Sequence, residues 1–193
     1  MRKTGFVIGA LVLSLAAGAT YASTVLGLSV EDQTRLSKLV VIGEVVSLKG
    51  IDDPENGIET AVTLRVIETL KGKAAAGQTV VFHTRRGTVG GVVSDALGEA
   101  EFHVGQKALV FVEDVGGTLY NLGLSMGVWN VQERDGAAVS FTRAITDDLE
   151  VAGDTPIELG PVDYRTMSSR VTWATRHPQF DNLMLRENFG QGR

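Results

Sequence analysis

The chain has no cysteine in its 193 residues. That absence excludes disulfides, thiol nucleophiles, cysteine-based zinc sites and a lipidated N-terminal cysteine, so its stability must come from packing. Basic runs are missing too. Beyond residue 22 the only adjacent basic pair is Arg85-Arg86, and no run of cations interleaves with aromatics as a groove for single-stranded nucleic acid requires. No apolar run reaches the length of about 20 residues that crosses a hydrocarbon core. Internal repeats and low-complexity tracts are absent as well.

The longest apolar run, residues 6–17, follows Arg2 and Lys3 and gives way to small residues ending at Ala22. Charged, apolar, then small is the order of a secretory signal peptide. Residues 1–22 are therefore expected to be a cleaved leader, with the cut after Ala22 and Thr20 and Ala22 flanking it. A cut after Ala19, using Ala17, is the alternative, and a retained anchor helix the competing reading. The expected destination is the periplasm or the medium, with no stable membrane span once the leader is gone. Removing Arg2 and Lys3 from the 18 basic residues leaves 16 against 23 acidic ones, a formal charge of −7. Such a chain repels phosphate backbones and anionic lipid surfaces, which argues against nucleic acid as a partner.

The 171 residues after a cut at Ala22 are enough for one domain with a substantial core. Ser29 is placed as an N-cap with Asp32 three residues on, opening a short helix that ends near Lys38. Residues 39–48 are dense in β-branched side chains and polar only at Glu44 and Ser47, which reads as a strand covered on both faces. The turn formers at 52–57, with Asn56-Gly57, reverse the chain. From 58 to 70 Ile58, Val62, Leu64, Val66 and Leu70 alternate with Glu59, Thr63, Arg65 and Thr69, so the first set is expected inside and the second wet. Further strands are expected at 79–84, 108–113, 118–124, 127–132 and 138–143. Residues 85–98 read as a glycine-rich loop with a short strand at 88–93. Helical spacing at Tyr164, Met167, Val171 and Ala174 places a C-terminal helix over 163–177, ended by Pro178.

Short strands at roughly ten-residue spacing, joined by Gly and Asp turns, indicate a sandwich or barrel rather than a βαβ fold. The capped start, the strand VVIGEVVSL, the second strand ending VIETLKG and the later FHVGQKALVFV together resemble the netrin-like OB-fold domains, which include the tissue inhibitors of metalloproteinases, and a group of exported bacterial proteins. The match covers residues 37–131. The resemblance implies a small, closed or partly open five-stranded Greek-key barrel over residues 23–160, with a short N-terminal helix and a C-terminal helix and tail at 161–193. It does not carry a mechanism: those inhibitors chelate a protease's zinc through an N-terminal cysteine and are pinned by disulfides, and this chain has neither.

Residues 123–127 match G-x-S-x-G around Ser125, with Asp147, Asp148, Asp163 and His177 following in hydrolase order. The nucleophile elbow needs a strand, a strained turn and then a helix, whereas residues 127–131 are strand-like, so a glycine-flanked β-turn is the expectation. Glu99, Glu101 and His103 share a face if extended, with Asp95 nearby and His83 as distant help. They are the weak candidates for a metal site, set against a solvated edge, because i, i+2 and i+4 spread ligands over about 14 Å of strand. Asp52, Asp53 and Glu55 lack EF-hand spacing and read as an acidic loop. Arg85 and Arg86 precede glycines but no helix start, so they form a basic hairpin tip rather than a phosphate cradle. Trp129 and Trp173 read as core anchors. No cofactor is implied. The expectation is a non-enzymatic binding module for a protein or an extracellular ligand, contacted through Asp52, Asp53, Glu55, Arg85 and Arg86. The alternatives are a secreted hydrolase using Ser125 or a metal cluster, and an envelope assembly protein that multimerises through a strand edge.

Overall fold

The computed structural model describes residues 23–147, 149–152 and 157–179. The expected leader at 1–22, Asp148 and the expected tail beyond 179 lie outside the described residues. The chain runs β1 (Ser23–Leu26), α1 (Val30–Leu36), β2 (Leu39–Asp53), β3 (Gly57–Lys71), β4 (Thr79–Thr84), β5 (Gly87–Val89) and β6 (Val92–Ser94). It continues through β7 (Lys107–Val115), β8 (Thr118–Asn121), a 3-10 turn at Leu124–Gly127, β9 (Val128–Arg134), β10 (Ala137–Arg143), β11 (Leu149–Ala152), β12 (Val162–Asp163) and α2 (Tyr164–Arg176).

Eight strands form one sheet in the order β12-β10-β9-β7-β2-β3-β4-β8, and β8 also pairs with β7. Pairing therefore returns to its start through β2, β3, β4, β8 and β7. Neighbours around this circuit are antiparallel except β4 and β8, which run parallel and share a single backbone pair, His83 with Tyr120.

Both faces of β2 and β7 are buried because two cores lie on either side of them. Leu39, Val41 and Val45 of β2 meet Ala108, Val110 and Val112 of β7, Val62, Leu64 and Val66 of β3, and Phe82 of β4 in one core. Val40, Ile42, Leu109 and Phe111 point the other way, into a second core closed by Val30 of α1, Trp129, Phe141, and Met167 and Val171 of α2. Each such side chain contributes about 1.5–3 kcal/mol of transfer free energy. The uninterrupted apolar runs in the sequence are the consequence of this double burial.

The helices are fixed locally and then tied to the sheet. Ser29 caps α1 by accepting from Asp32 N, and Asp163 caps α2 by accepting from Thr166 N. Lys71 at the end of β3 places its ammonium on the carbonyls at the α1 C-terminus, Thr34 O at 2.5 Å and Ser37 O at 2.6 Å. Arg170 of α2 grips both carboxylate oxygens of Glu31 in α1 at 2.6 and 2.7 Å.

Several expectations need correction. β2 runs on to Asp53 rather than ending at residue 48, and β8 stops at Asn121. The single strand expected at 88–93 is a hairpin, because Gly90 and Gly91 both take positive φ between β5 and β6. The parallel pair β1–β11 was not anticipated. Trp129 is a core anchor as expected, but Trp173 is 46% exposed and lies between the Arg35 guanidinium and the His177 ring. Glu59, assigned to the wet face of β3, is 1% exposed.

Candidate functional site

Glu59 organises a polar cluster on the strand circuit. Its Oε2 lies 2.7 Å from His83 Nδ1 on β4, and its Oε1 accepts from Tyr120 Oη on β8 at 2.9 Å. One carboxylate thus ties three strands together across the seam where β4 and β8 share only one backbone pair. Burial of a carboxylate is tolerable only with partners of this kind. The β5–β6 hairpin folds against the same region through two glycines. A Cβ at Gly87 would stand 2.6 Å from Glu59 O, and one at Gly50 would stand 2.2 Å from Thr88 O. Only backbone without a side chain can approach so closely.

The ring of Tyr120 is covered by the Arg85 guanidinium, whose carbon lies 4.6 Å from the ring centroid, and is met edge-on by the His83 ring at 5.7 Å. Burial, and then donation to Glu59, raises the Tyr120 hydroxyl above its ordinary range and keeps it a donor. Arg85 makes no ion pair among the described side chains, so its charge is held flat on an aromatic face and presented outward. Its neighbour Arg86 turns to Asp95 at 3.1 Å.

Glu99 anchors the other side of the cluster. Its two oxygens accept from Arg85 N and Ala100 N at 3.0 Å each and from Asn121 Nδ2 at 2.6 Å. Glu99 therefore holds the chain around Arg85 in place instead of facing solvent. Glu101 and His103 are exposed. The stretch they share is not a strand, and among the described residues no three His, Asp or Glu side chains are grouped to hold one metal ion.

The acidic turn approaches from β2 and β3. Asp53 accepts from the backbone N–H groups of Glu55 and Asn56 at 2.9 and 2.8 Å, which fixes the turn and holds its carboxyl below the usual range. Its charge acts on both His83 and Tyr120. Asp52 and Glu55 are exposed on the same turn. Of the expected contact residues, Arg85 thus lies on Tyr120, Asp53 is bound within its own turn, and Arg86 is taken up by its hairpin. Sequence reasoning missed Glu59 and Tyr120 as members and treated His83 only as a distant ligand. Nothing local in the sequence marks them, since their partners lie 24 and 61 residues apart.

Ser125 lies elsewhere. It is fully buried in the 3-10 turn between β8 and β9, its Oγ 3.5 Å from Thr146 Oγ1 and 3.4 Å from Thr146 N. The turn leads into a strand, as the β-turn expectation requires. His177, the histidine expected downstream, instead places Nδ1 2.8 Å from Trp173 O at the end of α2.

The arrangement offers a stacked cation, an imidazole fixed through Nδ1 with its other nitrogen unassigned to Glu59, and a rigid acidic turn. The cation and the imidazole can meet hydrogen-bond acceptors, and the acidic turn can meet donors. No helix among the described residues is long and apolar enough to cross a membrane. Compared with models of known protein families and with curated proteins, the chain matches none.

Proposed function

We propose that the chain is an exported, non-enzymatic binding module of OB or netrin-like type. The carrying observation is the pairing circuit β2-β3-β4-β8-β7. With β2 as first strand it reads 1-2-3-5-4 and back to 1, with the third and fifth strands parallel, which supports a small Greek-key barrel flanked by α1 and α2. OB barrels bind ligands on the face of the second and third strands and on the loops joining strands one to two and four to five. In this chain those parts are β3, β4, the turn carrying Asp53, and the turn after β7. Glu59, His83, Tyr120 and Arg85 lie among them, so the contact surface centres there.

Capture from the exporting cell's own envelope fraction tests the reading, comparing the wild type with Arg85→Glu. A binding module predicts a defined species held by the wild type and weakened about tenfold or more by the charge reversal, worth about 1.4 kcal/mol. The variant's unfolding midpoint should stay put. Equal retention by both chains would refute this contact surface. Turnover of an activated ester that disappears in Ser125→Ala would refute the non-enzymatic reading in favour of a hydrolase.

A further inference from the structure

Away from this surface, a cavity of about 620 Å³ opens between β1, α1, the end of β7 and the turn after β8. Ligand pockets commonly span about 300–1,000 Å³ and combine apolar walls with a few placed polar groups. The walls here are aliphatic: Val25 and Leu26 of β1, Leu28 and Leu36 around α1, and Leu122 and Met126 beside the 3-10 turn. They continue the core that lies under α1 and α2.

Three charged side chains stand among the lining residues: Lys38, Asp114 and Glu113. Lys38 and Asp114 neutralise one another in an ion pair. Glu113 has no such partner. Among the described residues nothing donates a hydrogen bond or an ion pair to its carboxylate. Its cross-strand neighbour is Tyr120, on which Arg85 is stacked. Burial pushes the Glu113 carboxyl above its ordinary range, with Glu99 adding to the effect and Arg85 opposing it. The wall thus partly desolvates a half-buried carboxylate that has no hydrogen-bond or ion-pair partner among the described residues, and a cation entering from the cavity would supply one.

We infer that this cavity binds a small amphiphile with an aliphatic tail and an ammonium head, the tail along Leu28, Leu36, Leu122 and Met126 and the head on the Glu113 carboxylate. The tail is selected by the six aliphatic side chains of the lining, Val25, Leu26, Leu28, Leu36, Leu122 and Met126. The head is selected by charge, because the one charged lining group without an ion-pair partner among the described residues is the anion Glu113. Glu113 adjoins Tyr120 on the sheet, but the cavity shares no lining residue with the Arg85 surface, so each reading has its own test.

Calorimetric titration of the full-length exported chain with three eight-carbon probes below their micellar concentrations provides the test: octylammonium, 1-octanol and octanoate. Octylammonium should bind tightest, octanol about tenfold more weakly, and octanoate more weakly still. Glu113→Gln should remove the preference, bringing octylammonium to the level of octanol while octanol itself is unchanged. Leu122→Trp should reduce binding of all three by occupying the cavity. If that variant unfolds, Leu36→Phe from the opposite wall serves the same purpose. Octanoate binding as tightly as octylammonium, an unchanged preference in Glu113→Gln, or no heat with any probe would each overturn the inference.

Discussion

Replacing Glu59 with alanine removes the acceptor shared by His83 and Tyr120 at once. The Tyr120 hydroxyl, on a residue 5% exposed, is left without its partner, which costs about 1–3 kcal/mol. The lost contact with His83 Nδ1 at 2.7 Å adds about 1.5–3 kcal/mol as a bond to a charged group. The expected loss is about 3–5 kcal/mol, a large part of the roughly 5–15 kcal/mol that a domain has in total. Glu59→Gln keeps the side-chain volume and an acceptor for Tyr120, so about 1–2 kcal/mol is expected. Tyr120→Phe should cost about 1.5–3 kcal/mol. In the double variant Glu59→Ala/Tyr120→Phe the hydroxyl stranded by the first change is gone, so the pair should cost less than the sum of the singles by at least about 1 kcal/mol. Urea unfolding read by the fluorescence of buried Trp129 measures all four chains. A loss below about 0.5 kcal/mol in Glu59→Ala, or strict additivity in the cycle, would refute the claim that this carboxylate ties the strands together.

Further outcomes follow from the helix contacts and the hairpin. The Arg170 guanidinium holds the Glu31 carboxyl below its ordinary 4.5. Its stabilisation is therefore present above about pH 4.5 and lost as pH falls through the lower folded value. Glu31→Gln should cost about 1 kcal/mol at neutral pH and flatten the acid limb of stability against pH, whereas an unchanged limb would contradict the pairing. Lys71→Met should cost about 1–2 kcal/mol and speed amide exchange in α1 relative to α2, because the carbonyls at the α1 C-terminus lose their cation. Gly87→Ala forces a Cβ to within 2.6 Å of Glu59 O, so chemical denaturation should show a loss of at least about 2 kcal/mol.

The parts legible in sequence were those with local or periodic causes. Ser29 announces α1 through capping chemistry, and the spacing of Met167, Val171 and Ala174 announces α2, whose cap Asp163 the structure supplies. The dense apolar run of β2 and that of β7 announce burial on two faces. Glu59 shows where periodicity stops being informative. The alternation in β3 is real, but which side is wet depends on what crosses over it, and the β5–β6 hairpin, His83 and Tyr120 arrive from far along the chain. β1 and β11 fail for the same reason: four residues gain strand structure only by pairing with four others more than a hundred positions away. The candidate trio Glu99, Glu101 and His103 rested on an extended backbone, and Glu99 turned inward to bond Arg85 N instead. Within the site, Arg85 could be singled out as an exposed loop charge, but its stacking on Tyr120 is a property of the strand circuit.

Closure of that circuit at His83 and Tyr120 is best tested by nuclear Overhauser contacts in an isotopically labelled sample of the chain. Cross-strand backbone contacts between β4 and β8 at His83–Tyr120, together with β7–β8 contacts at Glu113–Tyr120, are the predicted result. A β8 that contacts β7 alone, with no cross-peak between His83 and Tyr120, would contradict it.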